Sequence, residues 1–239
     1  VKCLKRCGLT ASDIVLEQFA SSQSILTDDE KELGVCMIDI GGGTTDIAIF
    51  TDGSVRYTAV IPIAGDQVTN DIAIALRTPA RNAEEIKIKH ACALQELADT
   101  AQMIDVPMAG DRAAKHISKR ALAEVVEARY EELFTLVAAE IRRSGLEDLI
   151  ASGIVLTGGA SKVQGAAELA ERIFKMPVRI GTPLHVTGLT DVINNPVYAT
   201  GVGLLLYGMQ QRETPREVIT QSSLKSLWGR MKGWFQGNF

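Results

Sequence analysis

The stretch VCMIDIGGGTTDIAIF, residues 35–50, sets a carboxylate, three glycines, two threonines and a second carboxylate between two apolar runs. The pattern predicts a strand over 35–40, a glycine turn and a second strand over 45–50. Glycines lack Cβ, so several backbone N–H groups of such a turn can approach phosphate oxygens closely. Thr44 and Thr45 offer hydroxyl donors. Asp39 ends the first strand and suits a magnesium ion held through its waters, since Mg²⁺ takes few carboxylates and keeps much of its hydration. No GK[ST] follows, and the glycines lead into a strand instead of a helix, which excludes a Walker A loop and a dinucleotide fingerprint. The alternative is a tight glycine hairpin with Asp39 and Asp46 simply solvated.

Downstream of this turn, TDGS reads as a hairpin turn and residues 54–63 as a third strand. Gly65 and Asp66 open a helix whose apolar positions Val68, Ile72, Ala75 and Leu76 recur at helical spacing. Pro79 breaks that pattern. Upstream, residues 10–20 read as a connection into a strand, and residues 20–34 as a helix or loop with an acidic exposed end. Residues 83–98 look mainly helical and QMIDVPMAG extended. A long helix follows, with Leu122, Val126, Tyr130, Leu133, Val137 and Ile141 on one face. GIVLTGG is a strand running into a glycine turn, residues 161–174 a helix with Val163, Ala166, Ala167, Ala170 and Ile173 inward, PVRIG a strand, and NNPVYATGVGLLLYG a buried helix. The chain therefore divides into an α/β unit of residues 1–78 and 151–208, an insert at 79–150, a linker at 209–223 and a terminal helix at 224–239.

The 239 residues are 46% apolar and 23% charged, the mix of an ordinary globular protein. A net charge of −4 argues against a nucleic-acid partner, which needs a basic face. No run is apolar and long enough for a transmembrane helix, and residues 1–30 lack a signal-peptide pattern. Cys3, Cys7, Cys36 and Cys92 form no CxxC pair, His90 beside Cys92 is too little for a zinc site, and His116 and His185 have no evident partner. The thiols are expected to be reduced. A chain that begins at Val1, already inside folded sequence, is expected to be a fragment.

The second glycine turn, Gly158–Gly159–Ala160, again lets backbone approach a flat or charged ligand, and two such turns in one α/β unit suggest a nucleotide at the carboxyl ends of its strands. The D-x-G-G-G-T-x-D element, the later L-T-G-G-A element and the helix PVYATGVGLL resemble the phosphate-2, adenosine and connect-2 motifs of the actin/Hsp70/sugar-kinase superfamily. Within it, GVCMIDIGGGTTDIAIFTDGSVRYTAVIPIAGDQVTNDIA, RALAEVVEARYEEL, GIVLTGGASKVQG and VRIGTP resemble the C-terminal half of the FtsA family of bacterial cell-division proteins. The resemblance implies an α/β, actin-like (ribonuclease H-like) ATPase domain II, with a mixed sheet flanked by helices, a smaller inserted subdomain and a C-terminal amphipathic helix. It places Asp39, Gly41, Gly42, Gly43, Thr44 and Thr45 around ATP phosphates and magnesium. Gly158, Gly159 and Ala160 fall at the adenosine, with Glu84 and Lys87 flanking ribose and base. The superfamily's phosphate-1 motif is missing, so the opposing jaw would belong to another domain, ATP affinity of this piece would be poor, and any ATPase activity weak.

Two further features bear on partners. In LKSLWGRMKGWFQGNF, Leu224, Leu227, Trp228, Met231, Trp234 and Phe235 share one helical face, with Lys225, Arg230 and Lys232 on the other, and no acidic residue follows Glu217. That is the pattern of a helix lying in the interface of an anionic membrane; the alternative is a terminal helix docked on its own domain. Gly229 and Gly233 weaken it in water by about 1 kcal/mol each, so that it forms on lipid. In KHISKRALAEVVEARYEELF the cations are either a solvated face or a dock. The family resemblance implies that this subdomain receives the C-terminal tail of FtsZ, with Lys119, Arg120 and Arg129 pairing its carboxylates. The implied protein tethers FtsZ filaments to the inner face of the cytoplasmic membrane and self-associates into filaments. A superfamily small-molecule kinase or an actin-like pilus-assembly protein is the alternative, and the Trp/Lys terminus speaks against both.

Overall fold

The computed structural model describes residues 1–108, 114–184, 186–188 and 190–213, with backbone alone at 190, 191 and 213. Residues 1–206 form one compact unit and residues 207–239 a second. The expected terminal helix, and with it every membrane-contact residue from Leu224 to Phe235, lies outside the described residues, as does His185.

The helices are α1 (Lys2–Arg6), α2 (Glu17–Ile25), α3 (Asp28–Leu33), α4 (Gly65–Leu76), α5 (Ala80–His90), α6 (Lys119–Ser144), α7 (Ala166–Phe174), α8 (Thr190–Ile193) and α9 (Ala199–Glu213). The strands are β1 (Val35–Ile40), β2 (Thr45–Thr51), β3 (Ser54–Ile61), β4 (Met103–Val106), β5 (Lys115–Ser118), β6 (Ile154–Thr157) and β7 (Val178–Ile180). Five of them form a mixed sheet in the order β3-β2-β1-β6-β7. β1, β2 and β3 are an antiparallel meander, while β6 pairs parallel to β1 and β7 parallel to β6. β4 and β5 make a separate antiparallel pair within the insert.

Every residue of β1 and β2 is buried, because both faces of the sheet are covered. The pleat sends Cys36, Ile38, Ile40, Ile47 and Ile49 into the main core and Val35, Met37, Ala48 and Phe50 into a second core on the other face. α2 and the start of α9 supply that second core with Ile25, Leu26 and Ala199. The main core runs on without a break into the insert through Ile86, Ile104, Ile117, Leu122, Tyr130 and Phe134. The insert thus shares the core of the sheet it interrupts.

Several elements depart from the sequence reading. Residues 17–20, expected to connect into a strand, open α2 instead, and the helix-or-loop stretch 20–34 holds the rest of α2 and all of α3. The buried positions of α2 are Gln18, Ala20, Ser21, Ser22, Ser24 and Ile25, a mostly polar face that carries no apolar period. Ser24 explains how such a face is tolerated: its hydroxyl donates to Ala199 O at 2.7 Å. β3 ends at Ile61 instead of 63. Pro79 caps the start of α5, where its fixed φ and missing N–H are harmless, and α5 stops at His90. Residues 159–162 form a 3₁₀ turn, and α7 begins only at Ala166, burying Leu169 and Phe174 along with Ala166 and Ala170. Val163, Ala167 and Ile173 are only half-buried. The expected buried helix at 194–208 is a 3₁₀ turn at Pro196–Tyr198 followed by α9, whose Leu204 and Leu205 are exposed. α9 approaches α2 so closely at Gly203 that a Cβ there would lie 1.7 Å from Ala20 O.

Candidate nucleotide cleft

Parallel pairing of β1 and β6 brings both glycine turns to the carboxyl ends of neighbouring strands, with Asp39 in register with Asp46 on one side and Thr157 on the other. Gly158 has φ +84°, and a Cβ there would sit 2.4 Å from both Asp39 Oδ1 and Ile40 O, so its backbone lies directly against the carboxylate. Between the turns opens a cleft of about 670 Å³. Gly41, Gly42, Gly65 and Asp66 line one end, Glu84, Lys87 and Ile88 one side, and Gly159, Ala160, Lys162 and Gln164 the other.

The first glycine turn is tied to α4. Gly65 N donates to Gly41 O at 3.0 Å and Asp66 N to Gly42 O at 2.8 Å, which fixes the turn against the helix start. Lys87 sits beneath this junction, donating to Gly65 O at 2.9 Å and to Thr69 Oγ1 at 2.8 Å, with Glu84 Oε2 2.7 Å away. Three partners saturate its ammonium group. Burial works against the charge on Glu84, yet hydrogen bonds from Lys87 and Thr69 hold its carboxyl below the ordinary range. The pair is therefore ordered at the cleft wall, with Glu84 the member whose remaining oxygen can meet a ribose hydroxyl and Lys87 the one that braces α4.

Asp39 and Asp46 are both buried. Burial, reinforced by the charges of Glu17 and Asp46 and opposed by a hydrogen bond from Ser21, pushes Asp39 up to about 6. Burial likewise raises Asp46 against the hydrogen bond from Thr44. Two neighbouring carboxylates in this state fit a site for a hydrated divalent cation, which would relieve their repulsion and lower both values. Among the described residues no group of three or more His, Cys, Asp or Glu side chains could hold a metal by itself; waters and phosphate oxygens would complete the shell.

α2 buttresses both carboxylates. Ser21 Oγ donates to Asp39 Oδ2 at 2.9 Å, and Gln18 Nε2 donates to Asp46 Oδ1 at 2.6 Å, from one helix face. Gln18 Oε1 is buried and has no partner among the described residues. Tyr130, read from sequence as core alone, donates its hydroxyl to Ala160 O at 2.6 Å and so anchors the second glycine turn to α6. Thr44 Oγ1 donates to Asp46 Oδ2 at 3.1 Å from an exposed position, where it can rotate toward a ligand. Thr45 is fully buried and its hydroxyl donates to Ile63 O at 2.7 Å, which commits its proton to the protein. Ile88, Lys162 and Gln164 also line the cleft; only the glycines beside them gave a signal in the sequence.

The three expected docking cations separate. Lys119 lines the cleft and donates to Gln164 Oε1 at 3.2 Å. Arg120 is exposed at the start of α6. Arg129 borders a second hollow of about 360 Å³ between α4 and α6, with Ile74, Ala75, Val125 and Ala128. Its guanidinium grips Asp71 through two bonds, 2.5 and 2.9 Å, and also reaches Glu132. Elsewhere, His116 Nδ1 lies 2.6 Å from Asp105 Oδ1 across the β4–β5 pair. Cys3 and Cys7 are exposed, Cys36 and Cys92 buried, and all four are free.

The family model described as cell division protein FtsA matches residues 36–203. Cell division protein FtsA of Pseudomonas aeruginosa is 63% identical over 245 residues, and that of Escherichia coli K12 45% identical over 249, each alignment taking in 100% of this chain and 59% of the relative. The chain thus spans about 59% of the length of these relatives. Among solved structures, MreB5 of Spiroplasma citri bound to ADP superposes with a TM-score of 0.72 at 20% identity, over 87% of this chain and 63% of that one. The PilM–PilN type IV pilus biogenesis complex gives 0.64 at 17% identity, over 85% and 55%. These likenesses show an actin-like fold.

Proposed function

The chain belongs to the FtsA family of cell-division proteins, and on that premise we propose that it supplies three parts of an actin-like membrane adaptor: one wall of an ATP–magnesium cleft, a dock for the C-terminal tail of FtsZ, and a terminal helix that holds the assembly on an anionic membrane. Phosphates and magnesium lie at Asp39, Gly41–Gly43 and Thr44, with the adenosine along Glu84 and Gly158–Ala160. The nucleotide serves as a switch for self-association into filaments. Attachment is read from the sequence of Leu224–Phe235, whose pattern sets apolar residues on one helical face and cations on the other. Family membership removes the motive for a small-molecule kinase.

The observation that carries the docking role is the α4–α6 hollow. Its apolar wall of Ile74, Ala75, Val125 and Ala128 ends at a guanidinium, which suits a short segment with apolar and acidic residues. Arg129 already holds Asp71 on one side and Glu132 on the other, so a tail carboxylate binds there by displacing the more exposed Glu132. Arg120, exposed at the head of the same helix, adds longer-range attraction. Fluorescence anisotropy with a labelled FtsZ tail peptide tests this. Arg129→Glu is expected to weaken binding at least about tenfold, while Glu132→Gln, which removes the competing charge, strengthens it. Unchanged affinity in Arg129→Glu would remove the dock from this groove.

A further inference from the structure

α5 runs along the cleft: Lys87 Nζ reaches the Gly65 junction behind the first glycine turn, and past His90 the chain leaves the helix at Ala91, which also lines the cleft. There the chain past α5 joins the segment after the second glycine turn: Cys92 bridges to Gln164, and Ala93 N donates to Gln164 O at 2.7 Å. Gln164, which lines the cleft beyond the second glycine turn, is thereby fixed in backbone. Its side chain meets Lys119, the first residue of α6, whose Nζ donates to Gln164 Oε1 at 3.2 Å.

We propose that Gln164 reads the six-position of a purine and that Lys119 is a positioning residue that sets which face of the Gln164 amide is presented; this rests on the nucleotide-cleft reading above. A carboxamide alone is ambiguous, because rotation by half a turn exchanges an acceptor oxygen for a donor NH₂. Adenine carries an amino donor at its six-position; hypoxanthine and guanine carry a carbonyl acceptor. An unconstrained glutamine would serve either. A lysine ammonium has donors only, so it can bond only Oε1 and holds the amide in one of its two orientations. The second lone pair of that oxygen then remains to accept from an amino group, and a carbonyl at the same place meets an oxygen. The lysine's remaining protons can serve N7, an acceptor that adenine and hypoxanthine share, so discrimination resides in Gln164 and its fixing in Lys119. Selection of this kind is effective because the wrong base leaves polar groups unpaired.

The test is an amide chemical-shift titration of the full chain, which measures weak binding as well as tight. ATP, ITP and inorganic tripolyphosphate are the ligands, with Gly42 and Gly65 reporting on the phosphate end. ITP replaces the amino group by a carbonyl and changes nothing in ribose or phosphates. The parent chain is expected to prefer ATP about tenfold, the worth of one good hydrogen bond. Lys119→Met and Gln164→Leu bring the ratio to within about twofold, whereas Gln164→Glu, acceptor at both oxygens, keeps or widens it. Tripolyphosphate affinity stays the same in the three variants apart from a small uniform loss in Lys119→Met. An ATP/ITP ratio near one in the parent, or one unmoved by Lys119→Met and Gln164→Leu, would overturn the inference and leave the cleft reading standing. Absence of any shift with both ATP and tripolyphosphate would overturn the cleft reading, and this inference with it.

Discussion

Gly158 and Asp39 hold the phosphate end together, and each yields a distinct expectation. A methyl at Gly158 would collide with Asp39 and Ile40 at 2.4 Å in a backbone region that only glycine enters freely. Gly158→Ala should therefore lower stability by about 2–4 kcal/mol in urea denaturation. Gly43, with nothing within 4 Å, should accept alanine within about 0.5 kcal/mol. Equal effects would mean that the Gly158 turn is not packed as described. Asp39 has a folded value of about 6 against an ordinary 3.8, so between these values the folded chain binds a proton that the unfolded chain does not. Stability from this group accordingly falls as pH rises through that window and is regained on acidification. Asp39→Asn should gain on the parent in urea midpoint between about pH 4.5 and about pH 7.5; a constant gap would show that Asp39 titrates normally. Asp39 and the glycines were legible because a strand, a carboxylate and a glycine turn form a local pattern. Gln18 and Ser21 were not, since a polar residue on a helix face gives no sign of which distant carboxylate it meets.

At the level of elements, apolar periodicity found β1, β2, α4 and α6, whose buried faces are apolar. It failed at α2, where serines take the inward positions and hydrogen bonds replace hydrophobic contact. It read Pro79 as breaking the α4 pattern, which ends at Leu76, but set the next helix at 83 where α5 begins directly after the proline at Ala80. α6 shows the same limit: its apolar stripe was readable, but not that Tyr130 in that stripe holds the second glycine turn. Tyr130→Phe keeps the stripe and its edge contact with Phe134 while leaving the buried Ala160 carbonyl only the long 3.4 Å bond from Val163 N. A loss of about 1–2 kcal/mol is expected, with faster amide exchange confined to Gly158–Val163. Unaltered exchange there would mean that the 3₁₀ turn stands without α6.

For the whole molecule, a mixed sheet with two glycine turns at adjacent strand ends is what the order of motifs foretold, and family membership agrees with it. What the order of motifs did not convey is that the insert draws on the same core as the sheet, so α6 reaches both the cleft and the α4 hollow. A single helix touching both places gives a physical route by which the proposed nucleotide and FtsZ-tail sites can influence each other. The proposed adaptor role requires a basic, Trp-containing terminus alongside that body, and the direct test is co-sedimentation with anionic liposomes in the presence of labelled FtsZ tail peptide. The full chain should pellet and carry the peptide with it, and a chain ending at Ser223 should leave both in the supernatant. If both chains pellet alike, or if the full chain pellets without the peptide, then this polypeptide does not link FtsZ to the membrane.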